Sequence, residues 1–248
     1  MQPETWAEDD LTEDALLDGR VLLHQPRKGY RAATDPVLLA AAVSARPGDK
    51  VLDVGCGAGA ASMCLTVRVS VEAHGLEAQA PYAALARRNA PNLTVWTGDL
   101  FAPPADLRNT GFDWVISNPP FFDTTDPASP DLRRDMARRE AQGADAWAAA
   151  CLRRVRSGGR IAIIHLAERL PDILAGLDGA GDVAVLPLQA RIGRPAKRVI
   201  VTARKGAKGP FRLAPPLILH EGLSHMADRD DFTDAAKAVL RDAAPLVF

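Results

Sequence analysis

"KVLDVGCGAGA", residues 50–60, joins an apolar run to a loop with glycine at positions 55, 57 and 59. Lys50 to Val54 read as a buried β-strand, and a helix follows over 60–69. Gly55 and Gly57 let the backbone turn tightly and approach a ligand, and Gly59 opens the helix. Such a loop, at the carboxyl end of a strand, is where open α/β sheets bind ligands.

Working outward, strand and helix patterns alternate. Residues 71–77 read as a strand, 79–90 as a helix, 92–98 as a strand and 112–118 as a strand. A helix over 144–159 ends at glycines, and a strand follows over 160–166. Apolar, β-branched strands in this rhythm predict a mostly parallel, doubly wound sheet with helices on both faces. The end differs, because the runs 182–190 and 197–206 have only a loop between them and pair best as an antiparallel hairpin. Upstream, "RVLLHQPRKGYR" (20–31) reads as a hairpin around Pro26 to Gly29. The segment 34–45 reads as a helix with Thr34 or Asp35 as its cap and Pro36 in its first turn. The expected organisation is one domain over 1–248: an N-terminal extension (1–33), a Rossmann-like core (34–206) and a C-terminal extension (207–248).

The chain of 248 residues is 47% hydrophobic and 25% charged, which excludes disordered and fibrous classes. No apolar run approaches the roughly 18–20 residues of a membrane span. The N-terminus lacks a signal pattern, and three cysteines without metal-type spacing fit reduced thiols in the cytoplasm. Net charge is −1, yet cations cluster. Arg27, Lys28 and Arg31 lie in one basic segment; Arg191, Arg194, Lys197 and Arg198 lie in another over 191–208, which contains no acid. Such clusters can hold phosphates or guard a strand edge.

Around the glycine loop, Glu77 ends the second core strand, where a carboxylate suits a ribose diol. Reading Ala60 as the last position gives G-x-G-x-x-A, so a dinucleotide is one candidate ligand. Two carboxylates favour S-adenosylmethionine (SAM) instead. Asp53, just before the glycines, would repel a pyrophosphate but suits a nearby sulfonium or ammonium. Asp99, in "TGDLF" after the third strand, suits an adenine amino group, with Leu100 and Phe101 beside the ring. Asp99 also fits a turn cap. An antiparallel hairpin at the end of the sheet is the arrangement of Rossmann-like methyltransferases, whereas nicotinamide-binding folds usually end parallel.

The fourth core strand delivers Asn118-Pro119-Pro120-Phe121. A planar exocyclic amine has a delocalised lone pair and is a poor nucleophile. Accepting hydrogen bonds from both of its N–H groups concentrates electron density on nitrogen. The Asn118 side-chain oxygen and the Pro119 carbonyl suit those two bonds. Pro120 stiffens the turn without adding a donor, and Phe121 offers a stacking face. Preorganised acceptors suffice, since the proton becomes acidic as the N–C bond forms.

Taken together, "LDVGCGAG", "GLE", "TGDLF" and "ISNPPFF" resemble the SAM-dependent amino-methyltransferases of nucleic acids and of release-factor glutamine. The leader "LLHQPRKGYRAATDPVLLAA" is similar, more narrowly, to the bacterial family that methylates N6 of adenosine 37 in a valine tRNA. The likeness covers roughly residues 20–246. It implies a class I methyltransferase fold and a SAM site of Thr34, Asp35, Asp53, Gly55, Cys56, Gly57, Gly59, Glu77, Ala78, Asp99, Leu100 and Asn118. It also implies Asn118 to Phe121 around the target amine, and tRNA as partner with no metal and no membrane. The loop over 122–140 and the basic 191–208 segment depart from the family's pattern, which bears on RNA identity.

Basic residues at 27–31, at Arg133 and Arg134, and at 191–198 are the expected phosphate contacts. The run 133–140 also fits a solvated helix. The five histidines show no ligand spacing; His165 reads as a packed strand-end group and Trp147 as core. Rival readings are guanine-N2 methylation of ribosomal RNA, glutamine-N5 methylation of a release factor, a nicotinamide-dependent oxidoreductase, and a non-catalytic RNA-binding module on a SAM fold.

Overall fold

A computed structural model describes residues 5–119, 143–224 and 230–248. Its strands are β1 (Leu11–Leu16), β2 (Val21–Pro26), β3 (Lys50–Val54), β4 (Glu72–Glu77), β5 (Thr94–Thr97) and β6 (Phe112–Ser117). They continue with β7 (Val155–Leu166), β8 (Ala180–Gln189), β9 (Arg198–Lys205), β10 (Arg212–Leu213) and β11 (Leu217–Ile218). The α-helices are α1 (Asp35–Ala41), α2 (Ala60–Arg68), α3 (Ala80–Asn89), α4 (Ala105–Arg108), α5 (Gly143–Arg154), α6 (Leu170–Ala175) and α7 (Asp234–Leu240).

Nine strands form one sheet in the order β10-β8-β9-β7-β6-β3-β4-β5, with β11 also pairing β8. The strands β3 to β7 run parallel, while β9 is antiparallel to both β7 and β8. The chain leaves β3 for β4 on one side and later returns to β6 on the other. That switch opens a crevice at the carboxyl ends of β3, β4 and β6. The mostly parallel, doubly wound sheet with its terminal antiparallel pair is the fold of the class I SAM-dependent methyltransferases.

Both sheet faces are covered, which is why the central strands are apolar throughout. One core joins α1 and α2 residues such as Leu38, Leu39 and Leu65 to Ile116 and Ile164. The other joins α5 and α6 residues such as Cys151 and Ile173 to Val54, Val115 and Ile163. Each layer pins the same strands from its own side, and so fixes where β3, β4 and β6 end.

Several boundaries differ from the sequence reading. The hairpin pairs β1 with β2, turning at Leu17 to Gly19, rather than around Pro26 to Gly29. Leu17, Asp18 and Gly19 all take positive φ (51°, 55° and 82°), and Asp-Gly is the strongest local signal for such a turn. The acidic character of 1–18 masked it. Thr34 occupies the N-cap position of α1, but neither it nor Asp35 caps the helix through its side chain. Helix α5 stops at Arg154, and β7 begins at Val155 and carries Gly158 and Gly159 within it. A Cβ at Gly159 would lie 2.8 Å from the Asp113 carbonyl, so the glycine marks close strand approach, not a helix end.

Candidate active site

The glycine loop takes its shape from three left-handed residues, Gly55 (φ 71°), Gly57 (φ 54°) and Gly59 (φ 92°). The N–H groups of Gly55 and Cys56 donate to the Leu76 carbonyl at 2.8 and 3.2 Å, tying the loop to β4. One residue further on, the Glu77 carboxylate accepts from the Gly57 N–H at 3.0 Å and the Gln79 N–H at 2.8 Å. Glu77 is buried, and these two bonds fix its side chain against the glycine loop.

Asp53 is 2% exposed and accepts a 2.9 Å bond from Ser62 Oγ in the first turn of α2. Burial pushes its carboxyl up to about 7, against the Ser62 hydrogen bonds and with help from Glu77. Cys56 is buried, and burial holds its thiol well above the ordinary value, so it is a small wall residue and not a thiolate.

Two lobes of the cleft meet at Gly55. Tyr30, Pro36, Asp53, Cys56 and Asn118 line the first. Ala78, Gly98, Asp99, Leu100 and Trp147 line the second. Asp99 Oδ1 accepts the Phe101 N–H at 2.9 Å, the turn-capping geometry, which keeps the carboxylate fixed at the lobe. Trp147 is not simply core. Its Nε1 donates to Ser117 Oγ at 3.0 Å, its ring lies 3.7 Å from where a Gly55 Cβ would stand, and Phe101 meets it edge-on at 6.0 Å. Ser117 in turn donates to the Val54 carbonyl at 2.8 Å, so the end of β6 orients the tryptophan.

At that same strand end stands Asn118. Its Nδ2 donates to the Tyr30 hydroxyl at 3.0 Å. Its Oδ1 is buried and finds no donor among the described residues. Buried acceptors are seldom left unpaired, so an orphan at a cleft marks a place for a ligand N–H. Pro119 is buried beside it. Pro120, Phe121, Arg133 and Arg134 lie outside the described residues.

Thr34 and Asp35 begin α1 next to the first lobe, and Asp35 is held by Arg198 Nε at 3.2 Å. Other expected phosphate contacts also make structural bonds. Arg31 pairs with Asp14 at 2.6 Å, Arg27 donates to the Asp9 carbonyl at 2.9 Å, and Arg191 pairs with Asp231. Lys28, Arg194 and Lys197 are exposed. His165 is a packed group: its Nδ1 accepts the Leu166 N–H at 2.8 Å, and burial lowers it to about 4. Sequence reasoning missed Tyr30, whose only local sign was an aromatic ring within a basic run.

Donor chemistry tests the cofactor. Neither lobe is lined by Lys or Arg among the described residues, while Asp53 lines one and Asp99 the other, and Glu77 braces the loop between them. That set repels a pyrophosphate and accepts from ammonium, ribose hydroxyl and adenine amino groups. It fits SAM. The fold is that of the class I SAM-dependent methyltransferases, and the donor set of the cleft fits their cofactor. Residues 33–143 match the family described as "Methyltransferase small domain".

Curated relatives include two named tRNA1(Val) (adenine(37)-N6)-methyltransferase. The one from Porphyromonas gingivalis is 31% identical over 157 residues, covering 58% of this chain and 61% of the relative. The one from Haemophilus influenzae is 23% identical over 235 residues, covering 89% and 94%. Among solved structures, a predicted O-methyltransferase from Agrobacterium tumefaciens superposes with a TM-score of 0.70 at 24% identity, covering 86% of this chain and 98% of that one. The T. thermophilus 16S rRNA N2 G1207 methyltransferase, solved with AdoMet and guanosine, gives 0.55 at 18%, covering 79% and 50%.

Proposed function

We propose that the protein methylates the exocyclic amine of a nucleobase in RNA, namely N6 of adenine in a tRNA anticodon loop. The observation that carries this reading is the buried, donorless Asn118 Oδ1 at the end of β6, beside a cleft suited to SAM. Relatives named for this activity align with up to 89% of the chain and supply the choice of base and RNA.

In this reading Glu77 holds the ribose diol, with Ala78 beside it. Asp99 and Leu100 hold the adenine, and Thr34, Asp35, Asp53 and the Gly55-Cys56-Gly57-Gly59 loop surround the methionine end. Bound SAM supplies an electrophilic methyl group. Asn118 Oδ1 accepts one N–H of the target amine and the Pro119 carbonyl the other. Electron density on nitrogen rises, and the amine loses its planar preference. Phe121 stacks on the base, and Pro120 stiffens the turn. No strong base is required, because the departing proton is acidic once nitrogen carries four bonds.

An anticodon-loop base is already unpaired, so its insertion costs less than flipping from a duplex. Lys28, Arg194 and Lys197, with Arg133 and Arg134, hold phosphates. Arg27, Arg31, Arg191 and Arg198 contribute field while keeping their structural bonds. We read the chain as one domain with extensions at 1–33 and 207–248, acting in the cytoplasm. Among the described residues no helix is long and apolar enough to cross a membrane, and no metal-binding cluster occurs.

The test offers labelled SAM with separate pools of unmodified tRNA, ribosomal RNA and release factor, followed by nucleoside and protein analysis. N6-methyladenosine in the tRNA pool is expected. N2-methylguanosine or a methylated protein would overturn the assignment.

A further inference from the structure

We infer that Tyr30 is a positioning residue that decides which end of the Asn118 amide faces the substrate, an inference resting on the amine-methylation reading above. An asparagine amide is nearly symmetric in shape, yet only its oxygen can accept from a target amine. An amide free to flip would present two N–H donors to that amine for part of the time. Asn118 therefore needs a partner that prefers its nitrogen.

Tyr30 supplies that partner through its hydroxyl, 3.0 Å from Asn118 Nδ2. A phenol can accept or donate, so the surroundings decide. Burial raises the Tyr30 pKa, and Asp35, Asp53 and Glu77 raise it further, which places three carboxyl groups within electrostatic reach of the hydroxyl. With Asn118 Nδ2 donating at 3.0 Å, the hydroxyl engages the amide through a lone pair and keeps its own hydrogen for another acceptor. Negative charge around the hydroxyl favours the N–H end of the amide at that point over Oδ1. This preference selects the orientation in which Oδ1 is the end left without a protein donor.

Tyr30 is itself fixed from outside the sheet. Its carbonyl accepts the Tyr82 hydroxyl at 3.2 Å, and its ring lies 3.7 Å from where a Gly57 Cβ would stand. The neighbouring Gly29, at φ 114°, could not take a Cβ without meeting the Tyr82 hydroxyl at 2.9 Å. The segment after the N-terminal hairpin thus seats one hydroxyl against the amide at the end of β6.

Tyr30→Phe keeps the ring and removes only the hydroxyl. It should lower kcat about tenfold, the factor corresponding to one net hydrogen bond. SAM affinity by calorimetry, KM for RNA and Tm should all stay within about twofold or a degree or two of wild type. Unchanged kcat would overturn the inference, and so would a SAM affinity that falls in parallel with kcat. A second readout is independent of turnover. The Asn118 side-chain NH2 resonances, assigned by their loss in Asn118→Ala, should shift and exchange faster with solvent in Tyr30→Phe. Unmoved resonances would contradict the contact even if no tested acceptor were methylated, whereas missing wild-type turnover alone would count against the proposed function.

Discussion

The Gly57 N–H donates to Glu77 Oε2 across 3.0 Å, so the glycine loop and the end of the next strand form one rigid edge of the cleft. Twenty residues separate the two in sequence. A single carboxylate both shapes the loop and faces the place proposed for a ribose.

Glu77→Gln should therefore weaken SAM more than a surface change would. The amide keeps one acceptor but turns an NH2 group towards one of the two backbone N–H donors, at Gly57 or Gln79. We expect a loss of SAM affinity of about tenfold or more, with about 1–3 kcal/mol of stability lost to the unpaired donor. Calorimetry and urea denaturation check the two parts. Unchanged SAM affinity would remove Glu77 from the site.

Asp53 predicts a pH dependence. Its carboxyl is neutral in both folded and unfolded chains below about 4, its ordinary range. Between there and its folded value of about 7, the unfolded chain ionises it while the folded chain keeps it protonated, so stability falls as pH rises through that window. Above about 7 the penalty is constant. Asp53→Asn should remove this slope, and its stability relative to wild type should grow from pH 4 to 7 by at most a few kcal/mol, then level off. In the proposed site, bound SAM would bring positive charge near this carboxyl, so wild-type affinity should rise from pH 6 to 8 while the variant's stays flat. A wild-type profile with no such rise would contradict the raised value.

Gly75 in β4 faces Cys56 so closely that a Cβ there would stand 2.7 Å from Sγ. Gly75→Ala should destabilise the protein by about 1–3 kcal/mol through overpacking. Cys56→Ala in the same chain should restore most of the loss by clearing the sulfur. Two additive penalties in denaturant titrations would show that the contact is not the cause.

The doubly wound core was readable because buried parallel strands must be apolar and β-branched, as in Val51-Leu52 and Val115-Ile116. The placement of Asp53, Glu77 and Asp99 at or just after strand ends was readable too, since each closes or follows an apolar β run in sequence. Tyr30 and Trp147 were not, because their roles arise from contacts with Asn118, 88 residues away, and Ser117, 30 residues away. Composition likewise marks Arg31, Arg191 and Arg198 as cations but does not show that Asp14, Asp231 and Asp35 already face them. The hairpin shifted because its acidic first strand alternates weakly, while the Asp18-Gly19 turn carried the stronger signal.

Asn118→Ala tests the central claim most directly. Removing the orphan acceptor should cut kcat at least a hundredfold while leaving SAM affinity within about twofold of wild type. Retained turnover, or loss of SAM binding equal to the loss of turnover, would contradict the role given to this amide.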